Sequence, residues 1–99
     1  MINGTLSEFK PEELVVKVKE RRESLFTCRI NNNIKYYITV HFEGIIGILN
    51  DNTKYWIDVI SETEDDEQDR VALIGDLFDY EVINELQKIK DAILNGDIN

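Results

Sequence analysis

The sequence predicts an α+β domain, in which an antiparallel β-meander of four to five strands carries a C-terminal amphipathic helix on one face. Ile34 to Phe42 alternate apolar and polar side chains over nine positions, the period of a strand with one buried face. Asp79 to Leu94 repeat apolar side chains at three- and four-residue spacing, the period of an amphipathic helix. Such a helix must bury its stripe, and the sheet offers the surface. At 99 residues the chain is expected to form a single domain, residues 1–99.

The segment Leu14 to Arg21 carries signals for both a strand and a helix. Pro11, followed by two glutamates, resembles a helix start. Val16 and Val18 alternate with basic residues as in a strand, and β-branched side chains weaken a helix. The strand is favoured, and the helix stays open as the alternative.

Two β-hairpins are predicted where apolar runs flank turns rich in asparagine. The first joins Leu25–Ile30 to Ile34–Phe42 through three asparagines, a residue that tolerates left-handed backbone angles. The second joins Ile45–Leu49 to Tyr55–Ile60 through a polar turn, and Gly44 turns the chain between the two hairpins. Aromatic and β-branched residues fill these strands, as expected for an antiparallel sheet.

The chain becomes acidic after the second hairpin. Ser61 to Asp69 contains no apolar residue and is expected to be a solvated loop that can run into a helix N-terminus. Arg70 to Ile74 fits either a first helical turn or a short buried strand, because five residues are too few to reveal a hydrophobic period. Asp79 is expected to cap the C-terminal helix, and Asn95 with Gly96 to end it.

The net charge of −9 lies almost wholly in the C-terminal part of the chain. Residues 1–57 hold seven acidic and eight basic side chains, whereas residues 58–99 hold 13 acidic and three basic ones. Such a field repels nucleic acid and anionic membranes and attracts basic partners. A basic set that could share the outer sheet face would suit RNA, but the acidic remainder argues against it. That set is Lys17, Lys19, Arg21, Arg29 and Lys35.

Few residues have the chemistry of an active site. His41 is the single histidine, and no serine or cysteine motif marks a nucleophile beside it. Cys28 is the single cysteine and is predicted to lie on the core face with Phe26 and Ile30, where burial raises a thiol pKa. The chain has no Cys/His cluster and no glycine-rich phosphate loop. We therefore expect no enzyme activity, no cofactor and no bound metal.

The candidate partner-binding residues are acidic side chains of the C-terminal part together with two aromatic ones. Aromatic anchors in an acidic rim suit a basic protein surface, because charge sets the encounter rate and the rings supply affinity. The simpler interpretation is that the rings pack beneath the start of the helix. The set is Glu62, Glu64, Asp65, Asp66, Glu67, Asp69, Asp76, Phe78, Asp79, Tyr80 and Glu81.

These features predict a non-enzymatic acidic binding protein. The leading hypothesis is a stoichiometric inhibitor of a basic, nucleic-acid-handling protein, in the manner of toxin-immunity and phage anti-defence proteins. The alternative is a small interaction or assembly module, able to form homo-oligomers through a sheet edge or the helix and without inhibitory action. No direct contact with nucleic acid or a membrane is expected, since no segment approaches the roughly 20 apolar residues of a membrane span. The lone cysteine and the absence of a leader pattern predict a cytoplasmic location.

Overall fold

The computed structural model describes residues 2–30, 34–42 and 53–96. A two-residue strand comes first, followed by a 3₁₀ turn at Leu6–Glu8 and the first helix. Four long strands and a second helix complete the described chain. The elements are β1 (Ile2–Asn3), α1 (Pro11–Arg21), β2 (Glu23–Ile30), β3 (Ile34–Phe42), β4 (Tyr55–Thr63), β5 (Gln68–Leu77) and α2 (Asp79–Leu94).

The strands form one open sheet in the order β1-β2-β3-β4-β5. From β2 to β5 each strand runs antiparallel to the next, and β1 adds a short parallel pairing at the edge of β2. Apolar residues of neighbouring strands share register, so that Ile38 of β3 lies between Phe26 and Val59. The predicted α+β class, the antiparallel meander and the C-terminal helix on the sheet are therefore confirmed.

The favoured strand at Leu14 to Arg21 was wrong, because this segment belongs to helix α1. Pro11 occupies the first turn, and Leu14, Val15 and Val18 continue from it at helical spacing with almost no exposure. This stripe outweighs the weak helix propensity of valine, since packing of an amphipathic face supplies most helix stability. Val16, which suggested alternation, is 56% exposed.

The second hairpin is only partly recovered. Its second strand is present as β4, whereas Ile45–Leu49 and the turn after it lie outside the described residues. Strand β4 pairs with β3 along one edge and with β5 along the other. Both edges of β4 are therefore occupied by strands of the described chain.

The acidic segment is part of a hairpin and not a long loop. Ser61–Thr63 complete β4, a tight turn follows, and β5 begins at Gln68. Arg70 to Ile74 is thereby a strand, which settles the choice between strand and helical turn. Two irregularities in the β4–β5 register, opposite Trp56 and near Ile60, interrupt the ladder at this edge of the sheet.

Both helices pack on the same face of the sheet and enclose one apolar core. Helix α1 lies over β2 and β3, and α2 lies over β4 beside α1. Leu86 and Ile89 of α2 are buried in this core. No helix in the described ranges is both long and apolar enough to cross a membrane.

Candidate protein-binding surfaces

The turn between β4 and β5 exposes four consecutive carboxylates to solvent. Backbone hydrogen bonds close it: the Thr63 N–H donates to the carbonyl of Glu67 at 2.9 Å, and the Asp66 N–H donates to the carbonyl of Thr63 at 3.1 Å. Asp66 has a φ of 62°, a left-handed angle that aspartate tolerates in turns. We call Glu64, Asp65, Asp66 and Glu67 the acidic tip.

The acidic tip is exposed, and its charge is not balanced by any side chain in the described ranges. All four side chains are exposed, and none forms an ion pair with the described part of the chain. Four like charges on adjacent residues repel one another, and their field extends into solvent. The tip is thus the most concentrated unneutralised charge among the predicted site residues.

Glu62 and Asp69 lie at the base of the tip, on opposite strands of the hairpin. Glu62 accepts hydrogen bonds from the Tyr37 hydroxyl and from the Gln68 side-chain amide, each at 2.9 Å. Both hydrogen bonds lower the pKa of Glu62 below its ordinary value, and the bond from Gln68 has the larger effect. Asp69 is exposed and pairs through its backbone with Ser61. Glu62 is thus fixed in place, whereas Asp69 extends the charge of the tip.

The two predicted aromatic anchors stack on each other at the start of α2. The rings of Phe78 and Tyr80 lie 5.9 Å apart at an interplanar angle of 15°. The Lys54 ammonium sits 3.6 Å from the centre of the Phe78 ring and 3.7 Å from an oxygen of Asp76. Phe78 is half-buried, so packing under the helix start accounts for it, whereas Tyr80 is 62% exposed. We call Asp76, Phe78 and Tyr80, together with Lys54, the aromatic corner.

Asp79 does not cap helix α2, contrary to the prediction. Phe78 is the capping position, and its backbone N–H donates to the Glu81 carboxylate at 3.0 Å. Asp79 instead accepts a hydrogen bond from the Lys19 ammonium at 2.9 Å, which ties α2 to α1. Both carboxylates therefore serve the local structure, and the charge of Asp79 is already paired with Lys19.

The predicted site residues do not form one surface. The acidic tip precedes β5 and the aromatic corner follows it, and ten residues of extended strand separate them by roughly 30 Å. A single small contact could not include both. The two groups are close in the sequence, which suggested a single surface. They lie far apart in the structure because they are at opposite ends of the extended strand β5.

The face of the sheet opposite the helices carries a cluster that the sequence interpretation did not include. The rings of His41 and Trp56 stack there, 5.9 Å apart at 11°. Tyr37 lies on the same face beneath the Lys35 ammonium, 4.9 Å from it, and Leu73 is 55% exposed. The alternation of β3 predicted that His41 faces away from the core, and the register to β4 is what places Trp56 beside it.

The described residues offer little for covalent or metal chemistry. Cys28 is buried in the core, as predicted, and desolvation raises its pKa to about 11, which keeps the thiol protonated at neutral pH. No three His, Cys, Asp or Glu side chains within the described ranges are grouped to hold a metal ion. Three of the five basic residues that would suit RNA on the sheet face, Lys17, Lys19 and Arg21, lie on α1 and not on the sheet.

The Lys19–Asp79 pair makes stability depend on pH. The hydrogen bond lowers the pKa of Asp79 and raises that of Lys19. Asp79 therefore stabilises the fold above its unfolded pKa, and this contribution disappears as pH falls through the folded pKa. Lys19 contributes below its unfolded pKa, and its contribution disappears as pH rises through the folded one.

Both side chains are more than a third exposed, so we expect Asp79→Asn to lower the free energy of unfolding by only about 0.2–1 kcal/mol at pH 7. Denaturant unfolding of the wild type and of Asp79→Asn is measured at pH 7 and at about pH 2, which is below the ordinary Asp pKa of about 3.9. The difference between their free energies of unfolding should be smaller at the lower pH. Asp91→Asn, at an exposed site near the end of α2, is the control. A difference that persists unchanged in acid would contradict the ion-pair explanation.

Three surfaces are thus available on the described chain: the acidic tip, the aromatic corner and the sheet face bearing Trp56. Each is built from side chains that the fold positions but does not bury. Comparison of the chain with protein-family models, with curated proteins and with solved structures gives no match.

Proposed function

We propose that this chain is a stoichiometric inhibitor that binds a basic, nucleic-acid-handling protein through the acidic tip. The observation that carries this proposal is the set of four adjacent exposed carboxylates, none of which forms an ion pair with a residue that the structure describes. A surface that binds phosphates attracts such a group by charge, and complementary charge accelerates encounter and excludes wrong partners.

The shape of the tip supports the same proposal. The two strands of a hairpin lie about 5 Å apart, so its end is narrow enough to enter a groove that accommodates one nucleic-acid strand. The closing hydrogen bonds between Thr63 and the two tip residues Asp66 and Glu67 keep the turn compact before binding. A preorganised segment loses little conformational entropy when it binds.

The aromatic corner has a smaller role in this proposal than the sequence suggested. Lys54 and Lys19 already neutralise Asp76 and Asp79, and the corner lies roughly 30 Å from the tip along β5. The contact is therefore assigned to Glu64–Glu67 with Asp69 beside them. Tyr80 would contribute only to a partner large enough to span β5.

The test compares two variants that remove the same charge from different places. The first neutralises the acidic tip with Glu64→Gln, Asp65→Asn, Asp66→Asn and Glu67→Gln, and asparagine suits the left-handed angle at position 66. The second removes four exposed acids from the helices with Glu12→Gln, Glu13→Gln, Glu20→Gln and Asp91→Asn. The wild-type chain and the two variants are each immobilised and used to capture proteins from the native host at low salt. Any basic enzyme that is captured is then assayed with increasing amounts of each chain.

The wild-type chain should abolish the captured enzyme's activity at one-to-one stoichiometry. The tip variant should associate about 10- to 100-fold more slowly, because steering is lost, whereas the helix variant should differ little. Equal losses in both variants would show that only net charge matters. Binding without inhibition would favour the alternative, an interaction module. Unfolding midpoints of both variants exclude damage to the fold.

We place this interaction in the cytoplasm, because the single buried Cys28 fits a reducing compartment. The alternative of an assembly module without inhibitory action is favoured by a different feature, the face of the sheet that neither described helix covers.

A further inference from the structure

The face of the sheet that points away from the helices combines aromatic and aliphatic side chains with charged ones. Strands β2 to β4 contribute every second residue to it, and β5 does the same except at the irregularity between Arg70 and Leu73. We call this set the outer face. Both described helices pack on the opposite side. Its members are Glu23, Leu25, Thr27 and Arg29 from β2, Lys35, Tyr37, Thr39 and His41 from β3, Trp56, Asp58, Ile60 and Glu62 from β4, and Gln68, Arg70, Leu73 and Gly75 from β5.

The outer face is electrically neutral although the chain carries a net charge of −9. Its three acidic side chains, Glu23, Asp58 and Glu62, are matched by the three basic side chains of Arg29, Lys35 and Arg70. The excess of negative charge among the described residues lies elsewhere, chiefly at the acidic tip and on α2. A surface without net charge does not repel a second copy of itself.

We propose that the outer face is the interface of a symmetric dimer of this chain, with its two-fold axis parallel to the strands and midway between β3 and β4. A two-fold interface requires a self-complementary surface, in which residue i contacts residue j and residue j contacts residue i. Rotation about this axis lays each β3 residue over its registered β4 neighbour in the second copy, and lays β2 over β5.

The residues that meet under this rotation are compatible in kind. An aromatic ring lies over another ring, an apolar side chain lies over another apolar side chain, and on each side of the axis one basic side chain lies over one acidic side chain. The pairs, each taken between the two copies, are His41 with Trp56, Tyr37 with Ile60, Leu25 with Leu73, and Lys35 with Glu62. Asp58 and Arg70 neutralise each other within a copy through two bonds of 3.1 and 3.2 Å. Strands that remain nearly aligned match the usual packing of two sheets at about 30°.

The size of the outer face suits a reversible dimer. Four strands about 4.8 Å apart and eight residues long cover roughly 500 Å² in each copy, or roughly 1,000 Å² together. That is near the lower end for a specific interface. Assembly through a sheet edge is less favourable, because β5 carries two irregularities and β1 has only two residues, both features that discourage edge pairing.

The test uses two exposed aliphatic residues as a matched pair. Leu73 on the outer face and Val16 on α1 are 55% and 56% exposed, so serine at either position should leave the monomer nearly as stable as before. Sedimentation equilibrium of the full chain between micromolar and millimolar concentration measures the dimer constant. Leu73→Ser should weaken the dimer at least 10-fold, and Val16→Ser should leave it unchanged.

Charge reversal provides a second and independent measurement. Lys35→Glu and Glu62→Lys should each weaken the dimer, and the double variant should recover it, because like charges meet in either single variant and opposite charges meet again in the double one. Lys17→Glu and Glu12→Lys, both on the exposed side of α1, are controls with the same changes in net charge. The variant with a neutralised acidic tip should still dimerise, which separates this proposal from the inhibitor proposal.

A wild-type chain that stays monomeric at millimolar concentration would overturn the dimer. A dimer that Leu73→Ser and Val16→Ser weaken equally, or that neither weakens, would overturn the assignment of the interface to the outer face. Thermal unfolding of each variant at micromolar concentration shows whether the monomer remains folded.

Discussion

Replacing Leu86 with alanine should lower the free energy of unfolding by about 2–5 kcal/mol. Leu86 lies at the centre of the apolar stripe of α2, has no exposed surface, and belongs to the same core as Ile57 and Val59 of β4. Truncation removes apolar contacts and leaves a cavity that the two helices and the sheet close only in part. Urea denaturation followed by circular dichroism measures the change.

Asn84→Ala is the matched control, because Asn84 lies on the same helix with its side chain exposed. Alanine has the higher helix propensity, so this variant should be as stable as the wild type or slightly more stable. A loss below about 1 kcal/mol for Leu86→Ala would be too small for a filled core position and would contradict the packing of α2 on the sheet.

The sheet and α2 were predictable because their patterns are long. Strand β3 alternates over nine residues and α2 holds one apolar stripe over 16 residues, so chance patterns are improbable over such lengths. Each also has a local end signal, such as Gly96 with its φ of 76° after α2. The class of the fold follows once both elements must share one core.

Helix α1 was the alternative and not the favoured prediction, because its short segment fits both the two-residue period of a strand and the period of a helix. Val16 and Val18 match a strand, while Pro11, Leu14, Val15 and Val18 match a helix, and the second set is the longer one. Burial of this apolar stripe outweighs the intrinsic preference of valine for strands.

The candidate site was predictable in composition but not in arrangement. The acidic run indicates an exposed segment, yet only the pairing of β4 with β5 shows that it ends a hairpin. The same pairing carries Asp76 and Phe78 to the far end of β5. Register between strands is a tertiary property, so the neighbours His41 and Trp56 leave no signal in a single sequence.

Gly75 did leave such a signal, because a glycine within a strand often marks the close approach of another group. That group is the Trp56 indole, which lies across β5: a Cβ added at Gly75 would be 2.5 Å from Cδ1 and closer still to Nε1. No other residue type leaves this space open. The glycine is therefore required by packing on the outer face.

Replacing Gly75 with alanine should force the indole off β5, break its stack with His41 and lower the free energy of unfolding by about 1–3 kcal/mol, the usual range for overpacking. Trp56 is the only tryptophan, so its emission should shift to longer wavelength as the ring moves into water. Denaturant unfolding and fluorescence spectra of the same samples measure both effects.

A double-mutant cycle isolates the contact from the backbone effect of the substitution. In a Trp56→Leu background the added methyl group has space, and alanine is favoured over glycine inside a strand by roughly 0.5–1 kcal/mol. Gly75→Ala should therefore be neutral or stabilising there, although it is destabilising beside Trp56. An equal loss in both backgrounds would show that the glycine serves the backbone of β5 and not the indole.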